Sequence, residues 1–437
     1  MKKIKILSLI TACTLVIGLF AGCGSTNSGD ADTKSGKTKI TFLNSKGEIQ
    51  TQLEDAAVKF SEENSDIELE VIPCATGSSP FEAVSSMYAS GNAPTISMLD
   101  PGDVAKFQEK LLDMSSQDFV KDSIDKSLDM VTTDGEEVIG FPFAVEGYGL
   151  IYNKKVLDSA LGSEFDPSTI KTRDDLKALF AKVSDSGVTP MVLSPLDWSL
   201  AAHFLPISYA DQGSTSADVA KFIDSLKAGN EDLINNSAFN GLMDTFDMFK
   251  ANNIDKDDPM SGTYDEAPEV LGKGEVGFWF MGNWAWSPIS EFDTADEEYG
   301  FLPIPISNNA EDYGNTQIPV GVTKYLVLDK DQSSEEEQAA AEKFLNWLVY
   351  DEAGQDVLVN KCNLIPAFSN ITIEPSDPLA KSIKSYISDG KTLQFMTNLP
   401  ADHWSEIGAS MQKYLAGESD RAGLVEEIEY YWENVEN

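Results

Sequence analysis

Positive charge is scarce in this sequence of 437 residues. Lysine and arginine together number 32 against 72 aspartates and glutamates, so the formal net charge is −40. Only two of the cationic residues are arginines, Arg173 and Arg421. Because such an acidic surface repels nucleic acid, and because arginine is the usual clamp for carboxylate and phosphate, the composition disfavours nucleic-acid partners and anionic ligands. A neutral ligand rich in hydroxyl groups fits it better.

Histidine is equally rare and occurs only as His203 and His403. Two histidines exclude most multi-histidine metal centres, and the chain lacks the Gly-x-Ser-x-Gly, P-loop and dinucleotide-binding motifs. With 72 acidic residues, carboxylate pairs of the glycosidase kind arise by chance, and none stands out. Asp255, Asp257 and Asp258 lack the glycine and distal glutamate of an EF-hand, so a solvated acidic loop is favoured over a calcium site. We therefore expect no catalytic residues, no cofactor and no metal.

Cysteine occurs four times, and two of the four lie in an N-terminal export signal. Three lysines precede the mostly apolar residues 6–20, and Ala21-Gly22-Cys23 follows, which resembles a bacterial lipobox. The pattern predicts a lipoprotein signal peptide over residues 1–22, a lipid-carrying Cys23, and a flexible tether over residues 23–37. An uncleaved membrane anchor is the alternative, although the apolar stretch is short for a bilayer span.

The other two cysteines, Cys74 and Cys362, lie in the exported part of the chain. Export permits a disulfide between them, whereas two half-buried thiols are the alternative. The sequence leaves both open.

The length of the chain is sufficient for two lobes rather than one core. Hydrophobic periodicity near the N-terminus predicts strands at Lys39–Leu43, Ile67–Ile72 and Thr95–Leu99, with helices at Gln52–Glu63 and Phe81–Ser90. This β-α-β-α-β order indicates a mostly parallel sheet with helices on both sides. Ligands of such sheets bind at the carboxyl ends of the strands, where the sequence places Asn44, Ser45, Lys46 and Asp100. For Asp100, a plain turn residue before Pro101 is the alternative. Further along, residues 333–337 form a capping box that predicts a helix over residues 339–349.

Aromatic residues concentrate in GFWFMGNWAWSPI, residues 277–289. The unbroken apolar run from Val276 to Met281 predicts a strand that is buried on both faces. Trp284 follows at or near a helix start and is assigned to a ligand, whereas Trp279 and Trp286 are assigned to packing.

Sugars need a particular combination of side chains. A sugar ring has a face of C–H groups that stacks on tryptophan and a rim of hydroxyls that carboxylates and amides can meet. Trp198, Trp284 and Trp404 each have acidic or amide neighbours in the sequence, which makes them candidates for stacking on sugar. Core packing is the alternative for each of them.

Four places carry a resemblance to a known family: residues 135–158, residues 272–289, residues 299–309 followed by 321–328, and residues 399–417. The most specific are GEEVIGFPFAVEGYGLIYNKKVLD and GKGEVGFWFMGNWAWSPI. Their order and spacing over residues 38–432 resemble the extracellular solute-binding proteins of bacterial sugar ABC importers, the maltose-binding-protein-like group. The resemblance implies an α/β, two-lobed periplasmic-binding-protein-like fold, in which each lobe is a mostly parallel sheet flanked by helices and a multi-strand hinge joins the lobes. It also implies the lobe boundaries: residues 38–144 and 320–374 for lobe 1, residues 145–319 and 375–437 for lobe 2.

The same resemblance implies a ligand site between the lobes. The residues that match ligand-binding positions, or lie beside them, are Asn44, Lys46, Asp100, Glu146, Tyr148, Trp198, Asn283, Trp284 and Trp404. Ser97 stands near a position where the maltose binder has another tryptophan. This departure leaves α-galactosides, fructans, and xylo- or manno-oligosaccharides open as ligands.

On this interpretation the protein is a lipid-anchored monomer at the extracellular face of a Gram-positive cell membrane. It captures a neutral oligosaccharide and delivers it to the transmembrane subunits of an ABC permease. Three alternatives are a secreted glycosidase or lyase that uses Asp100 and Glu146, a binding protein for another solute such as a polyamine, and a sensor that presents ligand to a surface kinase.

Overall fold

The computed structural model describes residues 36–75, 79–124, 127–292, 298–400 and 402–435. The signal peptide, Cys23 and nearly all of the tether lie outside these residues, so the predictions about them stay predictions. Within the described ranges, no helix combines the length and the apolar character that a bilayer crossing requires.

Helices and strands alternate along most of the described chain. The strands are β1 (Thr38–Asn44), β2 (Ile67–Pro73), β3 (Ile96–Leu99), β4 (Phe141–Asn153), β5 (Thr189–Val192), β6 (Val276–Gly282), β7 (Tyr299–Leu302), β8 (Ile318–Leu328) and β9 (Thr392–Gln394). The helices are α1 (Gln50–Glu63), α2 (Pro80–Ala89), α3 (Pro101–Val104), α4 (Phe119–Asp122), α5 (Lys154–Leu161), α6 (Arg173–Asp185), α7 (Ile207–Ala210), α8 (Ser216–Lys227), α9 (Ser237–Asn252), α10 (Glu266–Gly272), α11 (Trp286–Ser290), α12 (Glu335–Tyr350), α13 (Glu352–Asp356), α14 (Pro378–Ser388), α15 (His403–Ala416) and α16 (Arg421–Asn434).

The strands follow one hydrogen-bonded path, β2-β1-β3-β8-β4-β6-β5, with β7 paired to β4 and β9 paired to β8. β1 pairs in parallel with both β2 and β3, so the β-α-β-α-β pattern predicted near the N-terminus is confirmed. The long strands β4 and β8 pair antiparallel from Phe141↔Leu326 to Gly147↔Val320. They connect the N-terminal parallel strands to the strands β5, β6 and β7.

Buried side chains form separate cores at the two ends of β4. Phe141, at its start, packs in a core that includes the edge-to-face pair Phe60 and Phe344, whose ring centroids are 5.2 Å apart. Leu150, near its other end, packs in a core that includes Phe204 and Phe246, 4.9 Å apart. The two long strands therefore run from one core to the other. The lobe boundaries implied by the family resemblance stay a prediction.

The aromatic run around β6 behaves as its sequence predicts. All seven residues of β6 are buried. Trp279 is fully buried and its Nε1 donates a hydrogen bond to Ser194 Oγ at 3.2 Å, while Trp286 packs on Tyr299 at 5.4 Å between ring centroids. The assignment of Trp279 and Trp286 to packing is confirmed.

The capping box is confirmed as well, with Ser334 and Glu337 bonded reciprocally at the start of α12.

The alternative of a Cys74–Cys362 disulfide is not found. Cys362 is a free thiol buried in the same core as Phe141. Cys74 directly follows β2 and is half-buried. Burial raises the pKa of both thiols, that of Cys362 to about 12, which keeps this thiol protonated and unreactive in the folded protein.

Candidate ligand-binding site

The loop after β1 is shaped by the side chain that ends the strand. Asn44 Oδ1 accepts a hydrogen bond from Lys46 N at 2.9 Å, and Asn44 Nδ2 donates to Lys46 O at 2.8 Å and to Gln50 Oε1 at 2.9 Å. Asn44 is buried, and its amide is used within the loop. In this conformation Asn44 therefore holds the loop that presents Lys46.

Lys46 is paired with two carboxylates. Its Nζ lies 2.6 Å from Glu146 Oε1 and 2.7 Å from Glu48 Oε1, and its side chain is only 6 % exposed. Burial by itself would lower the pKa of Lys46. The two carboxylates raise this pKa by more than burial lowers it, so the pKa of Lys46 lies above its usual value. The other carboxylate oxygen of Glu146 accepts a hydrogen bond from Thr323 on β8. We call Lys46, Glu48 and Glu146 the lysine–glutamate cluster.

Asn283 connects this cluster to the end of β6. The backbone N–H of Gly147, next to Glu146 on β4, donates to Asn283 Oδ1 at 3.0 Å. Asn283 is buried, and it begins the short 3-10 turn that carries Trp284. The residues Lys46, Glu146, Asn283 and Trp284, which the sequence analysis selects, are thus brought together by the fold.

Four rings form the other wall of the site. His203 lies 5.1 Å from Trp284 and 5.5 Å from Trp198 between ring centroids, and Trp198 lies 6.5 Å from Trp284 and 6.0 Å from Tyr264. The π-helical segment Ser199–Phe204 explains the Trp198–His203 contact, because its i→i+5 geometry places residues five apart on one face. Trp198 and Trp284 are both partly exposed. We call Trp198, His203, Tyr264 and Trp284 the aromatic cluster.

Tyr148 lies behind the aromatic cluster. Its ring is 1 % exposed and contacts His203 and Phe395, each at 4.9 Å between ring centroids. Tyr148 is among the ligand-binding residues that the family resemblance implies. In this conformation the buried ring of Tyr148 packs against His203 of the aromatic cluster.

A cavity of about 20 Å³ lies between the lysine–glutamate cluster and Trp284. The rest of its lining includes Asn283, Ser287 and Cys362, whereas Trp198, His203 and Tyr264 do not line it. A cavity of this size holds about one water molecule. A sugar ring can therefore bind here only after the loop after β1 and the aromatic cluster move apart.

Asp100 and Trp404 belong to neither cluster. Asp100 is paired with Lys324, and its side chain is 45 % exposed. Trp404 is 43 % exposed near the start of α15. One helical turn later, on the same face, Gly408 packs so closely on Asp197 that a Cβ atom would lie 2.6 Å from Asp197 Cβ. Trp404 is thus displayed beside the segment that carries Trp198.

A much larger groove of about 2020 Å³ runs beside the site. Its lining includes Pro101 and Lys106, which follow Asp100, and Asp402 and Glu406, which flank Trp404. Phe395 lines this groove and also packs against His203 of the aromatic cluster. Asp100 and Trp404 themselves do not line this groove, although their sequence neighbours do.

Residues 55–385 match the bacterial extracellular solute-binding protein family. The chain belongs to this family. It is 24 % identical over 407 residues, 90 % of this chain and 87 % of the other, to an uncharacterized ABC transporter extracellular-binding protein of Pyrococcus horikoshii.

Solved structures share the fold of this solute-binding protein. RafE in complex with raffinose matches with a TM-score of 0.72 at 16 % identity, over 91 % of this chain and 99 % of that one. The maltose-bound MalE3 of T. maritima matches with a TM-score of 0.63 at 20 % identity, over 90 % and 98 %. These matches show a periplasmic-binding-protein-like fold, as the family resemblance implies. The family and these structures are binding proteins, not enzymes.

Three residues of the solute-binding protein's site are missed by the sequence analysis: Glu48, His203 and Tyr264. Glu48 is two residues from Lys46. Since Lys46 is expected to face the ligand, the other side chains of the same loop are candidates as well. His203 is five residues after Trp198, but only a π-helical turn makes that spacing a contact. Tyr264 has no signal in the sequence, because its position depends on how the segment before α10 packs against Trp198.

Proposed function

We propose that this solute-binding protein captures a neutral oligosaccharide between its two lobes. The observation that carries the proposal is that the partly exposed ring of Trp284, which packs on Trp198, lines the same small cavity as the carboxylates of Glu48 and Glu146. Indole rings can stack on the C–H faces of sugars, and carboxylates can accept hydrogen bonds from hydroxyls. In the open form, Asn283 and Lys46 would complete the polar rim, while Asp100 and Trp404 would contact further sugar units.

The distribution of cations supports a ligand without negative charge. Arg173 donates to the carbonyl oxygens of Gly241 and Ile306 at 2.9 and 3.1 Å, and Arg421 pairs with aspartates of α9, so both arginines are engaged away from the two clusters. Lys46 is neutralised by two glutamates and Lys324 is paired with Asp100. An anionic sugar would therefore meet surplus carboxylates rather than an unpaired cation.

The proteins that share the fold support the same ligand class, since RafE is in complex with raffinose and MalE3 is bound to maltose. The relative from Pyrococcus horikoshii is an ABC transporter protein, which supports delivery of the ligand to an ABC permease. We propose that the lobes close on the sugar about β4 and β8 and that the permease binds the closed form.

Anchoring completes the proposal. The exported chain would act as a monomer, held at the extracellular face of a Gram-positive membrane by lipid on Cys23. More than one acyl chain is needed there, because a single chain binds membranes only reversibly. Mass spectrometry of the membrane-bound protein should find the lipid on the cysteine, and Cys23→Ser should release the protein into the medium. A membrane-retained Cys23→Ser variant would contradict the anchor.

Calorimetry against raffinose, maltose, a chitin oligosaccharide, a digalacturonate and spermidine tests the ligand class. We expect binding of at least one neutral sugar and none of the uronate or of spermidine. Binding of spermidine alone would favour the polyamine alternative, and binding of the uronate alone would contradict the charge argument.

The enzyme alternative requires a carboxyl group that can act as a general acid. Asp100 and Glu146 are each paired with a lysine, and Glu146 also accepts a hydrogen bond from Thr323. In this conformation both carboxylates are therefore engaged by other side chains of the protein. Prolonged incubation with the bound sugar followed by product analysis should find no cleavage, and any turnover would overturn the binding-only proposal.

A further inference from the structure

Asn363 has an unusual backbone conformation for a residue that carries a side chain. Its φ is +52°, and among the described residues Glu136 is the only other non-glycine residue with a positive φ. Most L-residues avoid this region because Cβ then crowds the backbone, although asparagine tolerates it better than most. Such conformations persist where the surrounding structure imposes them, and they are frequent at ligand-binding sites.

Backbone hydrogen bonds on the C-terminal side of Asn363 hold this conformation in place. The N–H of Leu364 donates to Leu358 O at 2.9 Å, which fastens the chain to the turn that precedes it. The N–H of Val145 on β4 donates to Ile365 O at 2.9 Å, which fastens the chain to one of the two long strands. The position of Asn363 is therefore fixed relative to β4.

This strained residue lines the small cavity of the candidate site. The carboxylate of Glu146, which directly follows Val145 on β4, and the ring of Trp284 line the same cavity. Because the cavity has a volume of only about 20 Å³, enough for about one water molecule, the residues that line it surround a single small space. A ligand group that enters between Glu146 and Trp284 would therefore meet Asn363 as well.

Most of the polar side chains in this lining are already engaged. Lys46 pairs with Glu48 and Glu146, and Asn283 Oδ1 accepts a backbone hydrogen bond. The amide of Asn363, in contrast, has no hydrogen-bond partner among the described residues, and the residue is half-buried. An amide offers both a donor and an acceptor, and a sugar hydroxyl can use either. A hydroxyl can therefore bond to Asn363 without breaking a bond within the protein.

We propose that Asn363 contacts the ligand and helps to determine specificity at the proposed sugar site. Glycine adopts a positive φ without strain, so a residue kept only for the shape of this turn would be glycine. The presence of an asparagine is explained if its amide, held beside Glu146, bonds a hydroxyl of the sugar. This inference rests on the proposed function and adds to it a residue that neither the motifs nor the family resemblance identifies.

Asn363→Gly separates binding from backbone conformation, because glycine keeps the positive φ and lacks the amide. Calorimetry with raffinose, maltose and a chitin oligosaccharide first identifies a sugar that binds the wild type. For that sugar, Asn363→Gly should lose about tenfold in affinity, as expected for one lost hydrogen bond. Its urea unfolding midpoint should stay close to that of the wild type, because glycine relieves the strain at this position.

Asn363→Ala also lacks the amide but strains the backbone. It should lose the same factor in affinity as Asn363→Gly and should unfold at a lower urea concentration. Glu136→Gly is the matched control, because Glu136 has a φ of +66°, is exposed and does not line the cavity. This control should bind the sugar as tightly as the wild type.

Three results would overturn the proposal while the wild type binds a sugar. They are unchanged affinity in Asn363→Gly, an affinity loss in Asn363→Ala that Asn363→Gly does not share, and an equal loss in Glu136→Gly. A wild type that binds none of the three sugars would instead overturn the proposed function, and this inference with it.

Discussion

Lys46 Nζ lies 2.6 Å from Glu146 Oε1, and this contact ties the loop after β1 to one of the two long strands that run between the cores. Both side chains are almost fully buried, at 6 % and 5 % exposure. Glu146 also accepts a hydrogen bond from Thr323 on β8, so a single carboxylate links the loop to both long strands.

Removal of one partner of this pair should destabilise the protein strongly. Glu146→Leu leaves the Lys46 ammonium with only Glu48, and breaking a buried pair in this way costs about 3–5 kcal/mol. Urea unfolding at pH 7 measures the loss. The double variant Lys46→Met, Glu146→Leu leaves no unpaired charge from this pair and should recover most of the stability. A double variant as unstable as the single one would show that packing, not the ion pair, is responsible.

Trp284→Ala should weaken sugar binding by roughly tenfold to a hundredfold, by analogy with the 1–3 kcal/mol lost when an aromatic that stacks on a base is removed. Calorimetry with the sugar that binds the wild type measures the effect, and circular dichroism checks that the fold is intact. Tyr430→Ala is the matched control, because Tyr430 is an exposed aromatic residue on α16 outside both clusters. Unchanged affinity in a folded Trp284→Ala variant would remove this residue from the site.

Cys362 should react with a thiol reagent only after unfolding. Its burial and raised pKa leave almost no accessible thiolate near pH 8. Titration with a disulfide reagent in denaturant, without reductant, should count one thiol more in the wild type than in Cys362→Ser. A count one thiol lower in the wild type than in Cys362→Ser would indicate that Cys362 is bridged to Cys74 in the natural protein.

His403 should make the protein less stable in mild acid. It is fully buried, and burial lowers its pKa to about 3, against about 6.5 in the unfolded chain. Between these values the unfolded chain binds a proton that the folded protein does not, so stability falls as pH decreases from about 6.5.

Urea unfolding at pH 7 and pH 4.5 measures this effect. We expect His403 to account for roughly 2–3 kcal/mol of the difference, and His403→Gln should lose that much less. His403→Gln retains a group that can bond Tyr209, whose hydroxyl lies 3.4 Å from His403 Nε2. An equal loss in both proteins would remove His403 as the cause and leave His203, whose pKa burial lowers to about 4, and the carboxylates.

Local patterns predict the N-terminal half of one lobe closely. The strand expected at Lys39–Leu43 is observed as Thr38–Asn44, and the helix expected at Gln52–Glu63 is observed as Gln50–Glu63. Such elements are predictable because their periodicity reflects contacts with one adjacent layer. The antiparallel pairing of β4 with β8 is not predictable in this way, because 164 residues separate the end of β4 from the start of β8. The periodicity of each strand shows which of its faces is buried, but it does not show which distant strand lies beside it.

The site is only partly predictable for a related reason. Lys46, Glu146 and Trp284 are identified through motifs, and the fold brings them to one small cavity. Tyr148 is also identified from the sequence, but in the fold its ring packs against His203 and does not face the cavity. Tyr264 carries no motif, since its role depends on side chains that are distant in the sequence.

The sequence by itself determined the acidic composition, the near absence of arginine, the alternation of strands and helices, and which tryptophans of the 277–289 run are buried. These properties depend on residue type and on short-range periodicity, which each segment carries alone. Only the tertiary structure decided that two glutamates neutralise Lys46 and that His203 joins Trp198 to Trp284. Each of these arrangements joins segments that are distant in the sequence and that the long strands and the packed cores bring within a few ångströms of one another. Because these side chains are buried or partly buried, their partners are set by this packing and not by the neighbouring sequence.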